Sequence, residues 1–240
     1  MDRPAMFLRT ALLATSLLLA APSVAAKGQL QTRQTGVDLP AGVRAGRLVL
    51  ANTGDAMVAA QVRVYAWTQV DGEDVLSPSP ALTASPAIVE IAPGAEQLVR
   101  VIRADGSPVT AEQAYRVIID ELPGDPDKDA TNAVTVRMRY VLPVFVRADN
   151  APAHALDCRI GGASLTCRNT GGRAAQLGAT TLVGSRGRSE LTPGLLGYVL
   201  AGSSRRFALD AAKVSVAGTP VSLQLQLNGQ PTTVALGAAP

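Results

Sequence analysis

The chain has 240 residues, with 22 Lys and Arg against 19 Asp and Glu and a formal net charge of +3. There is no dense Lys/Arg block, and one Trp and three Phe leave little surface for stacking bases, so nucleic-acid binding is not expected. Gly (22) and Pro (16) punctuate nearly every segment, which leaves long helices little room.

Residues 1–26 read as a cleaved secretory signal peptide. Arg3 and Arg9 supply positive charge, an apolar run covers Ala11 to Ala21, and Ser23, Val24, Ala25 and Ala26 are small. The run is about half the ~20 residues that a spanning helix needs. Cleavage after Ala25 or Ala26 removes Asp2, Arg3 and Arg9, so the net charge falls to +2. No later stretch is long enough to cross a bilayer, so the mature protein is expected to be soluble, without stable membrane insertion.

From there the signal is period two. Arg47 to Ala51, Gln61 to Thr68, Gln97 to Arg103 and Tyr115 to Asp120 alternate apolar and polar residues, as half-buried strands do. Pro78, Pro80, Pro86 and Pro93 crowd Ser77 to Gly94 and predict loop or edge strand. Thr131 to Val146 is the longest alternating run. After it, Ala148 to Ala155 reads as a small, polar, Pro-containing linker. Val221 to Leu227 and Thr232 to Leu236 flank Asn228-Gly229, a two-residue hairpin signal. The expected fold class is all-β, with domains at 27–148 and 156–240 joined by a linker at 149–155. No repeat is legible.

Cys158 and Cys167 are the two cysteines, both in the second half. An even count in an exported chain predicts a disulfide, and the spacing suits the two strands of one hairpin. Two Cys and the lone His154 do not make a metal site, and no cofactor-binding or catalytic signature is present. His154 sits in the linker, where a solvated role is the expectation. Asp120 and Glu121 are adjacent on a strand and point to opposite faces, so salt bridging near the domain boundary is expected rather than shared acid/base work. The chain is not expected to be an enzyme.

Within Thr131 to Val146, the residues Val134, Val136, Met138 and Tyr140 share one face, while Thr135, Arg137 and Arg139 share the other. Such a strand ordinarily packs on its own core. It also suits strand lending, in which backbone hydrogen bonds give affinity and alternating side chains fill a partner's groove.

Several segments resemble the PapD-like periplasmic chaperones of the chaperone–usher pathway, in the family's order. They are Ala51-Asn52-Thr53-Gly54, A-W-T-Q-V-D-G-E-D at Ala66 to Asp74, A-P-G-A-E-Q-L-V-R-V-I-R at Ala92 to Arg103, A-Y-R-V-I-I-D-E-L-P at Ala114 to Pro123, and R-Y-V-L-P-V-F-V-R at Arg139 to Arg147. The wording is closer to the archaic branch. Gly197 to Phe207 carries a fainter likeness in the second half.

The resemblance implies two immunoglobulin-like sandwiches set at an angle, in the periplasm. It implies pilin or fimbrial subunits as partners, a temporary strand supplied by Val134, Val136, Met138 and Tyr140, and delivery to an outer-membrane usher. It also implies basic residues in the cleft that anchor the subunit's C-terminal carboxylate. The lysine and arginine expected for that task fall at Pro143 and near Gly36 here, so Arg116, Arg139 and Arg100 are the candidates, in that order. The rival reading is a structural or adhesive subunit of a surface fibre. Lys27 to Gly36, with Leu30 as its one large apolar residue, makes a poor donor extension for that role.

Overall fold

The computed structural model describes residues 29–124 and 136–237; the expected signal peptide and Val134 lie outside them. The first half forms β1 (Leu30–Thr32), β2 (Val37–Leu39), β3 (Ala45–Asn52), β4 (Val58–Val70), β5 (Glu73–Pro78), β6 (Leu82–Ser85), β7 (Ile88–Ile91), β8 (Glu96–Arg103), β9 (Gln113–Glu121) and β10 (Arg139–Val146). Two sheets face each other. One runs β1-β3-β8-β6; the other runs β2-β10-β9-β4-β5, with β7 beside the start of β4. Their inward residues, among them Leu48, Leu50, Val62, Val99, Val117 and Ile119, make one core. Alternation in the sequence becomes alternation of buried and exposed positions, as in β3 and β9. The proline-rich stretch supplies β5, β6 and β7, each paired on one side only among the described residues. The Ser85–Pro86 peptide bond is cis.

Residues 147–155 carry no strand or helix and lead to the second half. That half holds β11 (Leu156–Gly161), β12 (Ser164–Asn169), β13 (Ala175–Gly184), β14 (Gly187–Val199), β15 (Ser204–Ala208), α1 (Ala211–Ala217), β16 (Pro220–Leu227) and β17 (Gln230–Gly237). Its ladder runs β14-β13-β16-β17-β11-β12-β15 around a second core. Asn228 and Gly229 both take positive φ, the conformation that the two-residue hairpin requires. Cys158 and Cys167 are directly opposite on β11 and β12 and form a disulfide inside this core. The one helix among the described residues is a short element capped by Asp210.

The two halves share a device that the sequence reading missed. Asn52 ends β3 and donates to the carbonyls of Ala56 and Ile91, while its oxygen accepts from the Gly54 amide. Asn169 ends β12 and does the same with Arg173, Val199 and Gly171. Each Asn amide donates to a turn four residues beyond the accepting strand end, at Ala95 and at Ser203. Both turns carry a glycine with φ near +70°, Gly94 and Gly202. In both halves Asn-Thr-Gly is the visible signature, and both Asn side chains are almost fully buried. Three-residue similarity is too short to register as a repeat in a single chain.

At the far end of β9 from the linker, Asp120 binds Arg63 at 2.5 Å and also Arg139. The expected salt bridge therefore exists, but not at the domain boundary: β9 runs antiparallel to β10, which places its last residues opposite the start of β10. Partial burial alone would raise the Asp120 pKa, but hydrogen bonds from Arg63 and Arg139, reinforced by their charges, hold it below the ordinary carboxylate range.

Two predictions arise. Asn52→Ala and Asn169→Ala each strand one buried carbonyl, that of Ile91 or of Val199, so each should cost about 1–3 kcal/mol in urea unfolding, and the two losses should add because the sites are in separate cores. Asp120 contributes stability that is present above its unfolded pKa of about 4 and is lost as pH falls through the lower folded value. Asp120→Asn should thus destabilise by about 1 kcal/mol at pH 7, its partners being solvent-screened. The difference from wild type should vanish in acid, which a pH series of unfolding curves checks.

Candidate functional site

β10 is paired on both sides only over its second half. Val144, Phe145 and Val146 lie beside β2, in parallel, while the whole of Arg139–Val146 lies against β9. From Arg139 to Pro143 the other edge is open among the described residues. The carbonyl of Met138 accepts from the Glu121 amide of β9, so even-numbered residues turn their backbone groups to β9. Odd-numbered Arg139 and Val141 therefore present theirs to the open edge, and Pro143, with no N–H, sits on the same side at no cost to the ladder.

The side chains divide with the same period. Met138, Tyr140 and Leu142 are partly buried against the first core. The Tyr140 hydroxyl donates to the Leu30 carbonyl of β1 at 2.7 Å, bridging the two sheets. Val136 is 54% exposed. Of the run expected from Thr131, residues 131–135 lie outside the described residues, and β10 begins at Arg139. β9 ends at Glu121, and the Leu122 amide turns away to the Ala59 carbonyl. Val136 and Arg137, the described residues just before Met138, carry no strand. The Glu121 carboxylate accepts from the Met138 amide at 3.0 Å and marks that end.

On the opposite face of the same sheet, Arg116 lies between Tyr65 of β4 and Pro143 of β10. Its guanidinium stacks on the Trp67 ring at 3.6 Å and lies 5.2 Å from the Tyr198 ring of β14. It forms no hydrogen bond or ion pair with a described residue. Burial pulls its pKa below the usual arginine value, opposed by Tyr198 and Asp74, but an arginine stays charged. Burial likewise pushes the Tyr198 phenol up, against the pull of Arg116. The result is a half-buried cation on an aromatic floor, oriented and bonded to no anion among the described residues.

The other two candidates are elsewhere. The Arg139 guanidinium is engaged with Asp120. Arg100 is exposed on β8, opposite Arg47, in the other sheet. Alternation assigned it a face but could not say which sheet owned that face. Gly36 and Pro143, where the resemblance leads one to look for cations, touch each other: a Cβ on Gly36 would come within 3.1 Å of the Pro143 ring and carbonyl. A side chain at residue 36 would therefore require Pro143 to give by a few tenths of an ångström. A cavity of about 640 Å³ between the two halves is lined by Gly36, Pro143, Arg173, Gln176 and Tyr198.

Sequence reasoning missed the seam that shapes this cleft. Trp67, Phe145, Ala174, Tyr198 and Leu200 form a third apolar cluster joining the halves. Arg147 binds Asp38 and Glu112, and Glu112 accepts from the Ala174 amide at 2.7 Å. Arg205 reaches Glu73 at 2.7 Å, and the Arg206 amide donates to Gly72. Trp67 was the one visible clue, a large aromatic on the outward face of a strand.

The profile of the family described as "Pili and flagellar-assembly chaperone, PapD N-terminal domain" matches residues 29–152. Among solved structures, a chain of the Acinetobacter baumannii CsuC–CsuE chaperone–tip adhesion subunit pre-assembly complex, from archaic chaperone-usher Csu pili, superposes with TM-score 0.68 at 23% identity, covering 89% of this chain and 100% of that one. The Salmonella enterica SafA pilin–SafB chaperone complex gives 0.64 at 18%, covering 87% and 97%. The E. coli chaperone DraB gives 0.60 at 18%, covering 87% and 99%. No curated protein matches the sequence. At these identities the solved structures establish the two-domain fold alone. The family profile spans just over half the chain, and with it the chain belongs to the PapD-type pili and flagellar-assembly chaperones.

Proposed function

We propose that this protein is a periplasmic chaperone that captures pilin subunits lacking a strand, completes them with its own, and delivers them to an outer-membrane usher. Residues 1–26 are removed on export, 27–148 form the lending domain, 149–155 the linker and 156–240 the second domain. The observation that carries the reading is the half-open edge of β10. A long bare edge invites aggregation unless it has a use. Here the amides and carbonyls of Arg139 and Val141, unpaired among the described residues, could pair with a subunit strand. Met138 and Tyr140 lie on the side that faces the chaperone's own core, and with Val134 and Val136 they are the residues assigned to the lent strand. A subunit's open groove would then share that core, with about 1.5–3 kcal/mol for each large apolar side chain fully buried.

Arg116 is the anchor for the subunit's C-terminal carboxylate. A guanidinium fixed on Trp67 offers a bidentate fork with little rotamer entropy left to lose, in surroundings where an anion is poorly screened. Arg139 is held by Asp120 and Arg100 lies on the other sheet, so neither competes for that role. Transfer at the usher needs no nucleotide, because a better-packed strand in the fibre displaces the temporary one.

The test is co-purification of the tagged mature chain from periplasm that also expresses its pilin candidates. A small β-rich subunit should co-elute with wild type and be lost with Val136→Asp/Met138→Asp. Equal capture by that double variant, still folded by circular dichroism, would make β10 ordinary core. With the subunit in hand, Arg116→Ala should weaken capture about tenfold or more, the worth of one charge-assisted contact. An unchanged affinity would put the carboxylate elsewhere.

A further inference from the structure

Gln69 lies on β4, two residues beyond Trp67 and on the same face of the sheet. Its side chain meets the second domain as another strand would. Nε2 donates to the Tyr198 carbonyl at 2.8 Å, and Oε1 accepts from the Leu200 amide at 2.9 Å. Both partners are buried. The same Nε2 donates to Asp74 Oδ1 at 2.9 Å, and that oxygen also accepts from Trp67 Nε1 at 3.0 Å. One carboxylate oxygen thus ties the indole and the glutamine together, and the glutamine ties both to residues 198–200. The Trp67 and Tyr198 rings meet edge to face, 5.5 Å apart, with Arg116 against both.

We propose that Gln69 is a positioning residue for subunit capture: its amide clamps residues 198–200 of the second domain so that Tyr198 closes on Trp67 and confines Arg116 to one orientation in the cleft. The inference rests on the reading of Arg116 as the carboxylate anchor. Gln69 touches no subunit itself. It acts through the ring that borders the guanidinium. Only a primary amide meets the requirement, because the site needs a donor for Tyr198 O and Asp74 and an acceptor for the Leu200 amide at once. Methionine keeps the volume and loses both functions. Glutamate keeps the acceptor but faces Asp74 and the Tyr198 carbonyl with a second negative charge.

Trp67 is the only tryptophan in the chain, so its fluorescence reports on this seam without labelling. In the free protein, Gln69→Met and Gln69→Glu should both shift Trp67 emission to the red and raise acrylamide quenching several-fold. Small-angle scattering should broaden as the domains loosen, while far-ultraviolet circular dichroism stays unchanged. With the co-purified subunit as probe, Gln69→Met should weaken capture about tenfold. It should add nothing in an Arg116→Ala background, since both changes remove the same contact. Wild-type emission and scattering in both variants would overturn the clamp. So would an equal loss of capture with and without Arg116, which would mean that Gln69 acts by another route. If Arg116→Ala alone leaves capture intact, the anchor reading fails, and the emission and scattering data still decide whether Gln69 holds the seam.

Discussion

Everything proposed for this molecule depends on a strand that is held on one side and bare on the other. β10 is fixed by eight residue pairs to β9, so the open half cannot drift, and its last three residues are enclosed by β2 as well. A free edge on a loose strand would be a hazard; the same edge on a rigid strand is a template. Proline at residue 143 suits the point where β2 stops, because an N–H there would have no partner. Tyr140, bonded to Leu30, pins the open half of the strand to the other sheet.

The second requirement is a fixed angle between domains. A carboxylate anchor in a cleft is useful only if its distance from the lending edge is constant. The seam meets this with an aromatic cluster flanked by two polar ties, Arg147 with Asp38 and Glu112 on one side and Arg205 with Glu73 on the other. Buried polar groups at such a joint discriminate among orientations more sharply than apolar contact, because each misfit leaves a donor or acceptor unpaired.

Much of this was legible from residue pattern. Period-two alternation marked β3, β4, β8, β9, β16 and β17, and the cysteine pair and Asn228-Gly229 marked two hairpins. Alternation failed at the start of β10, because it reports which way a side chain points and not whether a neighbouring strand is there. It failed for Arg100 for a related reason: two sheets have two outward faces, and only tertiary structure says which one borders the cleft. Gln69 and Glu112 were invisible because their partners lie in another domain, more than sixty residues along the chain in each case. Arg116 stood out by its place in a motif, and the geometry adds what a motif cannot, an aromatic floor and the absence of an anion among its described neighbours.

The paired asparagine device has a consequence for how the molecule tolerates change. In the first domain the turn held by Asn52, from Ala92 to Ala95, is largely solvent-exposed and contributes no residue to the apolar seam cluster. In the second domain the corresponding turn begins at Leu200, which is buried in the seam, and Asn169 grips Val199, between the two residues that Gln69 holds. One copy is a private fastening and the other is also a hinge plate. Sequence drift around Asn52 is answerable only to the stability of its own sandwich. Around Asn169 the same drift would disturb both the sandwich and the domain angle, so the second copy has far less freedom to evolve than the first, although the two are built alike.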